Sequence, residues 1–296
     1  MKNLAEKRGL TLAAKRRLTG VAFSLPAILG MAVFFLIPFA ITIYYSFTNS
    51  IASGTFVGLD NYASVLGSST FRLAALNTLK FNAIAVPLIM VISLFIALVL
   101  HKKLKGFSFF RAAFIFPLVL PTASVILFFQ IIFSDSGAVN AVLRLLGIPV
   151  SNWLNSPNAF IVLVVLYIWK NCGYNIILFL AALNSVPRDI YESVELDGGR
   201  GSTVLFRITL PLITPSIFFI FVISIINSFK SFREAYILCG SMPHRSIYML
   251  QHFMNNNFAN MNYQRLSVGA ILVFLVIFAI VLVTLRVRDR IGDHEL

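Results

Sequence analysis

Residues 185–215 read SVPRDIYESVELDGGRGSTVLFRITLPLITP, and they carry the strongest signal in the chain. The chain has eleven acidic residues, of which four lie within nine positions of this stretch: Asp189, Glu192, Glu195 and Asp197. Helical spacing places Ile190, Tyr191 and Val194 on one face and the first three acids along another. The stretch therefore predicts a short amphipathic helix.

Residue types also predict where this helix begins and ends. Ser185 can cap a helix whose first turn contains Pro187, since proline is tolerated there. Gly198 and Gly199 can end it, because glycine adopts the left-handed conformation freely. A second short helix over about residues 202–208 would run into the apolar segment that follows. We therefore predict a helix, a turn and a second helix.

Long apolar segments lie on both sides of this stretch. A bilayer core of about 30 Å needs roughly 20 apolar residues per helix. Six segments meet that test: residues 21–45, 73–100, 112–133, 160–183, 212–238 and 266–285. The runs are continuous rather than alternating, which favours helices over a closed barrel. The predicted fold class is an all-α membrane protein with six transmembrane helices.

The overall composition agrees with a membrane location. Of the 296 residues, 58% are hydrophobic and only 12% are charged, whereas soluble domains are typically about 25% charged. The net charge of +13 would suit a nucleic-acid partner, but the basic residues flank apolar spans, where they set membrane orientation. We therefore expect contact with lipid and no nucleic-acid partner.

The basic residues predict the orientation in the membrane. With the N-terminus inside, the inner segments carry sixteen Lys and Arg residues, and the outer loops carry Arg72, Arg144 and Arg245. This imbalance places both termini in the cytoplasm. The predicted organisation is a cytoplasmic segment (residues 1–20), a transmembrane domain (21–285, with the loop 185–211) and a cytoplasmic tail (286–296).

The sequence offers no catalytic or metal-binding motif. It contains no HExxH, GxSxG or P-loop pattern, its histidines are scattered, and Cys172 and Cys239 lack metal-ligand spacing. We therefore predict no catalytic residue, no metal site and no ATP hydrolysis by this chain.

The loop resembles a known family motif. Residues 192–199 read ESVELDGG and residues 206–215 read FRITLPLITP. Together they resemble the EAA loop of ATP-binding-cassette (ABC) importer permeases, roughly E-A-A-x-x-D-G-A followed by F-x-x-I-x-L-P-x-x-x-P. Segments such as FFLIP at 34–38, FVGLDNY at 56–62 and WK at 169–170 are similar to the sugar-uptake branch, so the resemblance covers nearly the whole chain.

This resemblance implies a type I-like importer permease in a bacterial inner or plasma membrane. It implies a second permease subunit in a heterodimer, two ATPase subunits that bind ATP and magnesium, and an external solute-binding protein. The loop would dock on the ATPase as a coupling helix, through these positions: Asp189, Tyr191, Glu192, Val194, Asp197, Gly198, Gly199, Phe206, Leu210 and Pro211.

Polar residues within the spans are candidates for the substrate path. Such groups are costly in lipid unless they face water or a partner, and amides and aromatic rings suit a sugar. The fourth and fifth predicted spans offer eight: Lys170, Asn171, Tyr174, Asn175, Asn227, Lys230, Arg233 and Tyr236.

Two of these, Lys230 and Arg233, lie one turn apart and have two interpretations. They can reach water at the outer boundary or pair with Glu234, or they can help an anionic sugar to pass. Lys170 is explained equally well by helix packing or an ion pair.

Two other function classes are weighed against the importer permease. A secondary transporter or channel would be expected to show a repeat or a filter-like segment, and the two halves show no convincing repeat. A membrane-embedded enzyme would need a catalytic dyad or metal cluster at one depth, and the sequence offers only Glu234 with distant histidines.

Overall fold

The computed structural model describes residues 12–50, 54–101, 107–196, 198–199 and 201–292. Within these ranges the chain is largely helical, and the β-type pairing found there is an isolated antiparallel bridge between Thr48 and Phe56. The all-α prediction is therefore confirmed. Asp197, together with basic residues at positions 2–8, 102–105 and 200, lies outside the described residues.

The described part of the chain contains fourteen α-helices. They are α1 (Leu12–Met31), α2 (Ile37–Ser46), α3 (Asp60–Gly67), α4 (Ser69–His101), α5 (Phe107–Val119), α6 (Thr122–Ile132), α7 (Ala138–Leu145), α8 (Ala159–Ser185), α9 (Arg188–Leu196), α10 (Ser202–Val204), α11 (Leu210–Phe229), α12 (Phe232–Cys239), α13 (Leu250–Ala259) and α14 (Tyr263–Gly292). Five-residue π-helical turns at Ala32–Leu36 and Leu205–Thr209 join α1 to α2 and α10 to α11.

Several helical runs in this part of the chain are long and apolar enough to cross a membrane. Five do so by length and composition: Thr19–Ser46, Ser69–His101, Ala159–Ser185, Ser202–Cys239 and Tyr263–Arg290. The helices α5 and α6 form a further candidate, bent by 97° where they meet. These segments coincide with the six predicted spans.

The bent pair differs from the single helix that residues 112–133 predict. Pro121 stands directly before α6 with extended backbone (φ −56°, ψ 130°), and proline cannot donate the hydrogen bond that would continue α5. Three other prolines inside predicted spans leave their helices unbroken. Pro87 and Pro117 lie within α4 and α5, and Pro38 lies in the first turn of α2, where its missing N–H is tolerated.

The bent pair nevertheless runs from one end of the bundle to the other. Near its start, Arg111 borders a cavity with His101 and Asn184, at the end of the bundle that carries α9. Near its finish, the Gln130 side-chain nitrogen donates to the carbonyl oxygens of Ile237 (3.1 Å) and Leu238 (3.0 Å) of α12. The pair is therefore the candidate for a sixth crossing of the bundle.

The centre of the bundle is the contact between α4 and α8. Phe81 of α4 meets the ring of Tyr167 of α8 edge to face, with centroids 5.4 Å apart, and both side chains are fully buried. Such aromatic pairs stabilise a core by more than the burial of their apolar area alone would. By contrast, no residue in the most apolar window of Thr19–Ser46 is buried. The first span thus contributes an outer apolar surface that lipid or another subunit must cover.

The opposite end of the bundle from α9 carries α13 and the turn before it. The Asn77 side chain of α4 donates to the carbonyl oxygens of Arg245 (2.6 Å) and Tyr248 (2.9 Å). The backbone nitrogen of Leu250 donates to the Thr78 hydroxyl at 2.9 Å. These bonds fix the α13 segment to α4, so this end of the bundle is a structured cap rather than a loose connection.

Candidate functional site

Helix α9 has one face on the bundle and one in solvent, as its spacing predicts. Ile190 and Tyr191 pack against the core, and the Tyr191 hydroxyl lies 3.3 Å from the Thr209 hydroxyl. Asp189 and Glu192 are exposed. The bundle therefore holds α9 by its apolar face and presents these carboxylates outward.

The turn after α9 depends on glycine. Gly198 has a φ of +80°, and the Gly199 nitrogen donates to the Val194 carbonyl oxygen at 2.9 Å. A Cβ on Gly199 would stand 2.9 Å from that same oxygen, which is too close for an unstrained contact. Both positions therefore keep the turn tight.

One prediction about this loop is wrong. Ser185 does not cap α9, because it is the last residue of α8 and its hydroxyl donates to the Ala182 carbonyl oxygen at 2.7 Å. An extended residue, Val186, and Pro187 separate the two helices. Helix α8 thus ends two residues beyond its apolar run, because a serine at a helix end can satisfy its own hydroxyl locally.

The second arm of the loop joins α9 to the fifth span. Leu210 and Pro211 are half-buried at the start of α11, where proline is tolerated. Phe206 is 65% exposed. Leu196, at the end of α9, is 89% exposed and was not among the predicted residues. Exposed apolar side chains beside carboxylates make a surface suited to a protein partner.

A polar cleft of about 380 Å³ opens between α8 and α11. Four predicted path residues line it: Asn171, Tyr174, Asn227 and Lys230. Five further residues complete its wall, namely Leu118, Tyr167, Ile223, Ser231 and Glu234. The cleft thus combines amide and hydroxyl groups with an aromatic and aliphatic lining, as small-solute sites do.

An ion pair crosses the bundle beside this cleft. The Lys170 ammonium contacts Glu234 Oε1 and lies 2.8 Å from the Thr122 hydroxyl. The two charged side chains are only 12% and 10% exposed, and burial of this kind requires pairing. The pair links α8 to α12 and α6, so Glu234 neutralises Lys170 rather than Lys230 or Arg233.

Asn175 has a different place from its neighbours on α8. It is 2% exposed, and its side chain donates to the Ser224 hydroxyl at 2.9 Å. The Tyr167 hydroxyl donates to the Ser224 carbonyl oxygen at 3.2 Å. Asn175 therefore joins α8 to α11 inside the bundle, and it does not line the cleft as the sequence suggests.

The structure also separates Arg233 and Tyr236 from the cleft wall. Both lie on the exposed side of α12. The Tyr236 ring lies 6.4 Å from the ring of His252 in α13. Burial lowers the pKa of His252 to about 4, so its ring is uncharged near neutral pH. Lys230 and Arg233 therefore occupy different surroundings although they are one turn apart.

The chemistry that these residues support is recognition. Among the described residues, no group of three or more His, Cys, Asp or Glu side chains is placed to hold a metal ion. The cleft offers donors and acceptors that can orient a polar solute. The α9 loop offers a rigid, partly acidic surface at the other end of the same helices.

Comparison with known proteins identifies the class. Residues 89–292 match the family described as the binding-protein-dependent transport system inner membrane component. This match spans most of the chain, including the cleft and the α9 loop, and the chain belongs to this family. It is accordingly a transport permease subunit and a multi-pass protein of the cell membrane, as predicted.

Individual relatives support this assignment. The chain is 34% identical over 221 residues to the arabinooligosaccharides transport system permease protein of Bacillus subtilis, covering 73% of this chain and 70% of that one. It is 30% identical over 280 residues to the sulfoquinovosyl glycerol transport system permease protein of Agrobacterium fabrum, covering 92% and 90%. A chain of the bacterial alginate ABC transporter, solved with an alginate-pentasaccharide-bound periplasmic protein, has the same fold: the TM-score is 0.82 at 24% identity, covering 94% of this chain and 96% of that one.

Proposed function

We propose that this chain is one of two permease subunits of an ATP-driven importer of sugars or oligosaccharides. The observation that carries the proposal is the family match over residues 89–292, which contains both the α9 loop and the cleft. In this proposal the chain forms half of the translocation path. It moves with the ATPase and does not itself hydrolyse ATP.

The α9 loop is the proposed docking site for the ATPase. Its exposed Asp189 and Glu192 would be repelled by an anionic lipid surface, whereas a protein with basic residues complements them. Leu196 and Phe206 add exposed apolar area beside these acids. Because α11 continues directly from the loop, a displacement of the loop would be passed to the helix that lines the cleft.

The cleft is the proposed substrate path. Its amides and hydroxyls from Asn171, Tyr174 and Asn227 can exchange hydrogen bonds with sugar hydroxyls. The names of the relatives support a sugar as cargo but do not fix its charge, since they include arabinooligosaccharides as well as a sulfoquinovosyl glycoside. The cargo class we propose is therefore sugars and oligosaccharides, without a particular sugar.

The remaining partners are a second, different permease subunit, two ATPase subunits that bind ATP and magnesium, and an external solute-binding protein. The unburied apolar surface of Thr19–Ser46 supports the permease partner, since a subunit or lipid must cover it. The relative solved with a periplasmic protein supports the binding-protein partner.

The proposal is tested by mild-detergent pull-down of the tagged chain from its native membrane, followed by reconstitution. We expect mass spectrometry to find a P-loop ATPase and a second six-span permease, and we expect proteoliposomes to take up sugar only with ATP and the binding protein. Recovery of this chain alone, active without ATP, would instead indicate a secondary transporter or channel.

A further inference from the structure

The charges that face the cleft do not cancel. Glu234 is the one carboxylate among the described residues that line it, and Lys170 already neutralises that carboxylate. Lys230 is exposed, and it forms no ion pair with the described residues. The cleft wall therefore carries one uncompensated ammonium group.

Lys230 also lies where two spaces meet. It lines the cleft, and it lines a second cavity of about 180 Å³ that reaches Met249, Leu250 and Gln251 at the α13 end of the bundle. Helix α11 ends directly before it, at Phe229. Lys230 therefore connects the cleft with the cavity at the α13 end of the bundle.

The residue beside Lys230 provides independent support for a ligand. Ser231 is 2% exposed and lines the cleft, and its hydroxyl has no hydrogen-bond partner among the described residues. Buried hydroxyls are rarely left in this state. An ammonium and a hydroxyl on consecutive residues together match an anionic oxygen group.

From this arrangement we infer that the permease favours anionic glycans over neutral ones, and that Lys230 determines this preference by contacting the anionic group of the sugar. The inference rests on the proposed function and adds the charge of the cargo to it. Arg233 does not share the role, because it is absent from the cleft wall. Lys170 does not share it either, because Glu234 neutralises it.

Uptake by the purified importer complex in proteoliposomes tests the preference. The probes are a trigalacturonate and its methyl ester, which differ in charge but share the same ring. Lys230→Gln should lower uptake of the acid by about tenfold, as expected for the loss of one charge-assisted hydrogen bond, and should change uptake of the ester by less than twofold. Lys230→Arg should retain the preference, and Arg233→Gln, the matched control, should leave it unchanged.

A second measurement does not depend on transport. Carbodiimide converts the carboxylate of the trigalacturonate to an O-acylisourea, and the amine of a lysine in contact with it then attacks the acyl carbon, forming an amide and releasing the urea. Mass spectrometry of the complex should find this adduct on Lys230 and not on Lys80, which lies over the Phe160 ring outside the cleft. Equal labelling of both lysines would contradict the proposed contact between Lys230 and the carboxylate of the glycan.

The outcomes separate this inference from the proposed function. ATP-dependent uptake of the ester alone, or equal loss of both probes in Lys230→Gln, would reject the preference and leave sugar import intact. Uptake of neither probe by a wild-type complex that imports a neutral sugar with ATP would also reject the preference, whereas absence of any ATP-dependent sugar uptake would count against the proposed function.

Discussion

At the scale of single residues, the Lys170–Glu234 pair is the feature most sensitive to substitution. Each charge is almost completely removed from water, and each is stabilised by the other. Removing one partner leaves a lone buried charge, which typically costs about 3–5 kcal/mol. Removing both leaves no such charge, so the loss should be smaller than the sum of the two single losses.

We therefore predict that Lys170→Gln and Glu234→Gln each lower the thermal unfolding temperature of the detergent-purified complex, and that the double variant recovers part of the loss. The control is Arg288→Gln at the Arg288–Asp289 pair, whose side chains are 46% and 60% exposed. Exposed pairs contribute about 0–1 kcal/mol, so this variant should be close to wild type. Strictly additive losses in the double variant would contradict the pairing.

At the scale of elements, two contacts depend on glycine. The first is the crossing of α5 and α8 at Gly173, where a Cβ would overlap the Phe114 carbonyl oxygen and stand 3.2 Å from Ile115 Cα. The second is the turn after α9, where Gly198 has a φ of +80°. One glycine permits close packing, and the other permits a backbone conformation.

For the crossing, we predict that Gly173→Ala destabilises the complex by about 1–3 kcal/mol, since the two helices must move apart. Gly20→Ala is the matched control, because Gly20 also lies in a helix and nothing stands within 4 Å of its added Cβ. The thermal unfolding temperatures of both variants test this predicted loss of stability. Equal stability of the two variants would mean that the crossing is not close.

For the turn, we predict that Gly198→Ala raises the ATP hydrolysed per sugar imported, because strain displaces the proposed docking helix. Gly147→Ala is the control, since Gly147 has a similar φ of +69° and open space around it. Both changes carry the same backbone penalty of about 1–2 kcal/mol. A similar ratio of ATP hydrolysed to sugar imported in the two variants would show that the turn after α9 has no special role in coupling.

At the scale of the whole molecule, the number of crossings determines where the ends lie. Counting the bent α5–α6 pair as one span brings the number of candidate crossings from five to six, and an even number would put both termini on one side. From the basic residues we predict that this side is the cytoplasm. The cavity at Arg111 and the hydrogen bonds of Gln130 support the sixth crossing.

Reporter fusions test this topology. A green fluorescent protein after the C-terminus should fluoresce in cells, and alkaline phosphatase joined after Gly147 should be active outside the cytoplasm. The matched control is alkaline phosphatase after the C-terminus, which should be inactive. Phosphatase activity at the C-terminus would mean five crossings and an outer C-terminal end.

The sequence by itself determined the properties that depend on local pattern. Apolar run length identified the five long spans and the bent pair that is the candidate for a sixth. The spacing of acids and apolar residues identified α9 and the turn at Gly198. Residue type alone also selected Asn171, Tyr174, Asn227 and Lys230 as polar groups within spans, and the structure places these on the cleft wall.

Only the tertiary structure decided which of these groups act together. Lys170 and Glu234 are 64 residues apart, and their pairing depends on how α8 packs against α12. The same packing puts Asn175 inside the bundle, Arg233 outside the cleft and Lys230 on its wall. The periodicity of one helix indicates which residues share a face. Which other helix packs against that face depends on how several helices pack together.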